Sequence, residues 1–116
     1  MKYKIIKSSE VDEQDFGYIK VKQLLNQEDI DNVSLAVIKI DGTNKKVVNR
    51  RGDALYYVLQ GNGEFNIDGE KVPETTGDLV FIPKGTPYFD RGKLTMLSFN
   101  NPRFNKDFIE YLTKKV

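Results

Sequence analysis

The chain has 116 residues, a length that suits one domain and leaves too little for a second independent core. Eighteen Lys and Arg nearly cancel seventeen Asp and Glu, so there is no one-signed field of the size that nucleic acid or an anionic membrane surface draws on. Cysteine and histidine are both absent, which removes disulfides, thiolate and Ser-His nucleophiles, Cys-ligated metals, and His-based acid–base or iron chemistry.

The opening MKYKIIKSSEVDEQ turns charged within a few residues, and no apolar run approaches the roughly 20 residues of a membrane span. A cytoplasmic protein is the expectation. YKIIK and GYIKVKQLL read as edge strands, while LLNQEDIDN fits either a loop or a short helix. Without a signal peptide, the Asn32-Val33-Ser34 triplet is a coincidental match to a glycosylation acceptor.

From residue 33 onward short runs rich in β-branched and aromatic residues follow one another: VSLAVIKI (33–40), KVVNR (46–50), ALYYVLQ (54–60), GEFNID (63–68), DLVFI (78–82) and KLTMLSF (93–99). Asp41-Gly42, Gly61-Asn62-Gly63, Asp68-Gly69 and Pro83-Lys84-Gly85 lie between them and predict tight turns, hence an antiparallel all-β fold. GNGEFN is no dinucleotide loop, because strand runs flank it and neither a third glycine nor a helix follows. At the end, NPRFNKDFIEYLTKKV changes period. Asn105 as cap, Phe104 and Ile109 as a staple across it, and the stripe Phe108, Ile109, Tyr111, Leu112 predict a short helix over about 105–115. Lys114 and Lys115 then complement its dipole. Such a stripe packs on its own barrel or contributes to a dimer contact.

Gly42, Gly61, Gly77, Pro83 and Gly85 fall at intervals that resemble the two conserved motifs of the cupin family. Gly42 and Gly61 bracket the first motif, and counting inward places the family's two histidines at Val48 and Arg50 and its glutamate at Ala54. GDLVFIPKGTPY resembles the second motif, with the histidine slot at Tyr88 and the closing asparagine slot at Gly92. The resemblance covers roughly residues 40–104 and implies a single cupin domain over 1–116: a double-stranded β-helix, or jelly-roll, barrel of RmlC-like type with a short C-terminal helix. It also implies that slots 48, 50, 54 and 88 converge inside the barrel, since alternate residues of a strand share a face.

Those slots hold no neutral nitrogen donor and no carboxylate, so neither a metal nor another cofactor is expected. What remains is a pocket of Val48, Arg50, Ala54 and Tyr88, joined by Tyr56 two residues beyond Ala54 on the same face. An inward Arg50 needs a partner, either an anionic ligand or a carboxylate such as Asp53, Glu64 or Asp90. A slip of one residue turns it outward, brings Asn49 in, and leaves Arg50 and Arg51 at the rim. Tyr56 and Tyr88 are either core filler or ligand contacts.

The leading functional expectation is a metal-free cupin that binds a small polar or anionic molecule, a carboxylate, sugar or sugar phosphate, in a sensor, carrier or accessory role. A metal-independent isomerase- or epimerase-like enzyme using Tyr88 is the alternative, and a structural dimerisation module is the third. No nucleic acid or membrane partner is expected. Small cupins often pair, so the resemblance implies a homodimer.

Overall fold

The computed structural model describes residues 3–112. Nine strands form one curled antiparallel sheet: β1 (Gln14–Asp15), β2 (Ile19–Gln27), β3 (Ile30–Thr43), β4 (Val47–Asn49), β5 (Asp53–Ile67), β6 (Glu70–Thr75), β7 (Leu79–Ile82), β8 (Tyr88–Asn101) and β9 (Ile109–Tyr111). The central strand is β8. Its residues from Arg91 to Asn100 pair with β3 on one edge, and its full length from Tyr88 to Asn101 pairs with β5 on the other. The outer edge of β5 is then shared by β7 and β6.

Alternation along these strands builds the core. Tyr88, Asp90, Leu94, Met96, Ser98 and Asn100 of β8 turn inward and are buried. Ala54, Tyr56, Val58 and Phe65 of β5, Val80 and Ile82 of β7 and Ile40 of β3 meet them in one apolar cluster. Full burial of a side chain such as Phe65 or Met96, both at 0% exposure, contributes about 1.5–3 kcal/mol.

Several turn signals act differently from their sequence reading. Gly61-Asn62-Gly63 does not reverse the chain. ALYYVLQ and GEFNID are two halves of the single strand β5, bent at an irregularity between Val58 and Gln60 and carried through Gly61 at φ 105°. Asp41-Gly42 likewise lies inside β3. Gly42, Gly92 and Gly63 stand level on β3, β8 and β5, and this row without side chains lets three long strands bend together. By contrast Asp68-Gly69 is a true two-residue hairpin turn, both residues at positive φ.

At the amino end, residues 3–7 carry no strand, and a 3-10 turn follows at Ser8–Glu10. GYIKVKQLL does form β2, and the LLNQEDIDN segment is neither helix nor free loop: it continues β2 into a hairpin with β3 around Glu28 and Asp29. The C-terminal helix is also corrected. Asn105 caps as expected, its side chain accepting from the Asp107 amide, but the helix stops after one 3-10 turn, Lys106–Phe108. The chain then enters β9, which pairs with β4 from Val47↔Tyr111 to Asn49↔Ile109. An open strand edge offers more backbone hydrogen bonds than an isolated helix too short to be stable alone, and Ile109 and Tyr111 favour the extended form. The rest of the expected helix, with Lys114 and Lys115, lies outside the described residues.

A Cβ at Gly92, where φ is 125°, would meet Asn62 O and Gly63 Cα, each at 2.6 Å. Gly92→Ala is therefore expected to cost about 3 kcal/mol or more. Gly69→Ala, strained by its φ of 85° but facing open space, should cost only about 1 kcal/mol. Urea unfolding of the two variants checks the contrast.

Candidate functional site

The curl of the sheet brings three of the five expected pocket residues together. Ala54 and Tyr56 on β5 and Tyr88 on β8 are buried in the same cluster. The Tyr56 and Tyr88 hydroxyls lie 2.6 Å apart, and Phe65 packs against both rings, with centroids at 5.2 Å from Tyr56 and 6.5 Å from Tyr88. Val48 is buried on β4 but outside that cluster. Arg50 is the exception. Its guanidinium faces out, donating to Glu110 Oε1 from Nε at 2.8 Å and Nη2 at 2.6 Å.

The outward turn of Arg50 follows from its neighbours. Asn49 turns in and serves as the local bracket: its Oδ1 accepts from the amides of Arg51 and Gly52, and its Nδ2 donates to Asn100 Oδ1 at 3.3 Å. Outside, β9 sets Glu110 directly beside β4, so the cation finds its partner without leaving water. Arg51 pairs with Asp31 and lies over the Phe108 ring. Because the Arg50 pair is half exposed, Arg50→Ala should change stability by less than about 1 kcal/mol.

Asp90 is the group that motif counting underrated, naming it only as a possible mate for Arg50. Two residues beyond Tyr88 on the same face of β8, it is 2% exposed. The period-two alternation of a strand was signal enough to place it beside Tyr88. Burial raises its carboxyl to about 6, although the Asn44 side chain and its own backbone amide hydrogen-bond the charged form. Among the described residues no Lys or Arg is buried to answer it. Burial also pushes the Tyr88 phenol up to about 12, with Asp90 adding to the rise and the Tyr56 hydroxyl opposing it. Tyr56 is raised further, by burial first, then by Tyr88 and Asp90, while a hydrogen bond with Ser98 opposes the rise. Both phenols therefore stay protonated at neutral pH, and each keeps donor or acceptor capacity beyond their mutual bond.

This set does not fit a transition metal. Val48 and Ala54 carry no donor, Arg50 points away, the Tyr88 hydroxyl is engaged by Tyr56, and among the described residues no three of His, Cys, Asp or Glu gather where they could hold a metal ion. Nor is the space around the tyrosines an open cavity, since their rings and Phe65 fill it. A cleft of about 450 Å³ lies elsewhere, lined by Tyr18, Lys20, Lys39, Asp41, Gln60 and Lys93 among others.

Asp90 makes stability pH-dependent in a defined sense. Its folded value exceeds its ordinary 3.8, so folding favours the protonated form, and stability present below about pH 4 is lost as pH rises through about 6. The loss approaches about 3 kcal/mol. Asp90→Asn should remove this slope and leave the protein more stable than wild type at pH 7, with the two converging near pH 4, as measured by urea unfolding at each pH.

Comparison with known proteins agrees with the geometry. The Cupin domain family profile matches residues 37–89, from the middle of β3 to the start of β8. An uncharacterized protein of Aquifex aeolicus (strain VF5) is 29% identical over 75 residues, which is 65% of this chain, and the match spans 62% of that relative's length. Among solved structures, a Streptomyces PAC13 variant with uridine superposes with a TM-score of 0.86 at 20% identity, covering 97% of this chain and 92% of that one. PAC13 is described as a nucleoside dehydratase. KdgF of Halomonas sp. follows with a TM-score of 0.79 at 22% identity over 91% of this chain and 99% of its own. An RmlC-like cupin of Shewanella frigidimarina NCIMB 400 gives 0.76 at 19% identity over 91% and 96%. At these identities the superpositions speak for the fold. The glycine and proline frame, the curled sheet centred on β8 and the matched segment coincide: residues 37–89 match the Cupin domain family model, and the fold of the chain is the one these cupin structures share.

Proposed function

We propose that this protein binds a small, neutral, hydroxyl-bearing molecule at the polar end of the barrel interior, with Tyr56, Tyr88 and Asp90 as its hydrogen-bonding groups. The observation that carries the reading is the buried pair of phenol hydroxyls at 2.6 Å with a carboxylate on the same strand face. A buried carboxylate without a cation costs stability, and the hydrogen bonds from Asn44 and the backbone offset the desolvation of Asp90 only in part. A ligand hydroxyl donating to Asp90 would offset that cost. The uridine held by the PAC13 variant, on the same fold, supports the class. Anionic ligands fit less well than the sequence alone implied, because Arg50 lies outside. The filled interior means that binding displaces a ring, so affinity is expected to depend on how readily Tyr56 or Tyr88 rotates.

A second reading is favoured by the carboxyl at about 6 beside a phenol at about 12: a metal-independent isomerase- or lyase-like reaction in which Asp90 accepts a proton and Tyr88 donates one. Groups whose values are driven apart by their surroundings are how acid and base roles are separated.

Thermal-shift and calorimetric titration with uridine, a hexose, a hexose phosphate and a dicarboxylate test both readings. The neutral ligands should stabilise the wild type, and Tyr88→Phe or Tyr56→Phe should weaken binding about tenfold, the worth of roughly one hydrogen bond. Loss of turnover with binding retained in Tyr88→Phe would select the enzyme. If no ligand in the set binds and both Phe variants are at least as stable as wild type, the tyrosines are core filler and the binding reading fails.

A further inference from the structure

The outer face of the sheet changes character along its strands. Toward one end its outward positions form exposed apolar rows, Phe99 and Leu97 on β8 level with Leu55 and Tyr57 on β5. From Thr95 onward the same face is polar and cationic. Lys20 on β2 stands directly opposite Lys39 on β3, Lys39 opposite Thr95 on β8, and Thr95 opposite Gln60 on β5. Two residues along β8, Lys93 lies between Asp41 and Asn62. Ile40 and Leu94, in the row between, turn inward and are buried, so the two polar rows face outward. The geometry points to a second ligand site in the cleft of about 450 Å³ that these rows line, one that takes the phosphoryl group of a small phosphorylated polyol. The cleft contains none of Tyr56, Tyr88 and Asp90, so the site stands whether or not the interior binds anything.

Charge decides the class of ligand. Like charges directly opposite one another on a sheet repel, and besides the facing pair Lys20 and Lys39 the cleft holds Lys93 at the diagonal position, about 7–8 Å from Lys39. Glu13 answers Lys39 at 3.4 Å, while among the described residues no carboxylate lies within ion-pair distance of Lys20 or Lys93. Two unanswered ammonium groups match a phosphate monoester, which carries about −1.5 to −2 at neutral pH. A single carboxylate would neutralise only one of them. The rest of the wall suits hydroxyl groups. Thr75 Oγ1 donates to Asn62 Oδ1 at 2.7 Å, which leaves the Asn62 amide as a donor. Gln60 and Thr95 supply donors and acceptors, and Asp41 is an acceptor for a ligand hydroxyl. The bend of β5 shapes the cleft: the register shifts between Val58 and Gln60, and Gly61 follows at φ 105°. Such irregularities re-aim side chains beside a site. The volume falls in the range of small-molecule sites, about 300–1,000 Å³.

Nuclear magnetic resonance titration of the isotope-labelled full chain with glucose-6-phosphate, and with glucose as the uncharged control, tests the inference. At low salt the phosphate ester should shift the backbone amides of Lys20, Lys39, Lys93 and Thr95, and glucose should not. Added salt should weaken the binding, because the cleft is open to water. The double variant Lys20→Gln, Lys93→Gln should lose about tenfold or more in affinity. Without ligand it should unfold at the wild-type temperature or higher, since a like-charge contact has been relieved. Should it misfold, Lys93→Gln alone is expected to weaken binding in the same direction. Lys71→Gln, the same loss of charge near the far turn of the β5 and β6 hairpin, should leave the affinity unchanged. Absence of ester binding overturns the inference, as do shifts confined to the amides around Tyr56, Tyr88 and Asp90, which would place the ligand in the interior. A loss in Lys71→Gln equal to that of the double variant overturns it too, because the attraction would then be to net charge rather than to the cleft.

Discussion

Strand β8 is hydrogen-bonded on both of its edges, to β3 over ten residues' register and to β5 over the whole of its length. With both neighbours fixed, the strand has one permitted register, and a slip by one residue would turn Met96 and Leu94 to water and Arg91 and Lys93 to the core. The chemistry of the interior is therefore written by the alternate residues of a single strand. Tyr88 and Asp90 make one end polar, Leu94 and Met96 fill the middle, and Ser98 and Asn100 make the other end polar again. Tyr56 stands opposite Ser98 in the β5–β8 register and reaches the Tyr88 hydroxyl across the interior, while Asn49 donates to Asn100. The two ends do different work. Asn49 and Asn100 tie the backbone of the β4 to β5 connection, while the tyrosine end holds groups with capacity to spare.

The sequence made most of this legible where spacing alone decides. Gly77, Pro83 and Gly85 stand at the turns flanking β7, and Tyr56 and Tyr88 do share the interior. It misled where local chemistry has two uses. Gly61 supplies a positive φ, which a turn and a strand bend both require, and only the pairing of β5 along β8 selects the bend. The 105–111 segment has an N-cap and an apolar stripe, signals that a helix would use, but the vacant edge of β4 outbids them through contacts more than fifty residues away in sequence. Counting from glycines leaves Arg50 either inside the barrel or at the rim with Asn49 turned in. Counting cannot see that the single step between Asn49 and Arg50 is decided by Glu110 on one side and Asn100 on the other.

Asp90 shows the same limit from the opposite direction. Its position beside Tyr88 follows from strand alternation, but its burial without a cation depends on where every Lys and Arg of the chain goes, which is a tertiary outcome. The exposed apolar rows behave likewise: the runs are plain in the sequence, while the fact that only one of their faces meets the core belongs to the way the sheet curls.

The closure of the barrel beside β4 has an uneven character. Here a strand of three residues is held mainly by β9, itself three residues long and close to the end of the described chain, and it touches β8 only through Val47↔Tyr88. Elements with so few ladder bonds fray at far lower free energy than a fourteen-residue central strand. Fraying at this place would leave β3, β8 and β5 intact, yet it would loosen the neighbour of Tyr88 first. The barrel thus has its shortest strand pairing beside Tyr88, so the tyrosine end can open at a lower free energy than the fold as a whole unfolds.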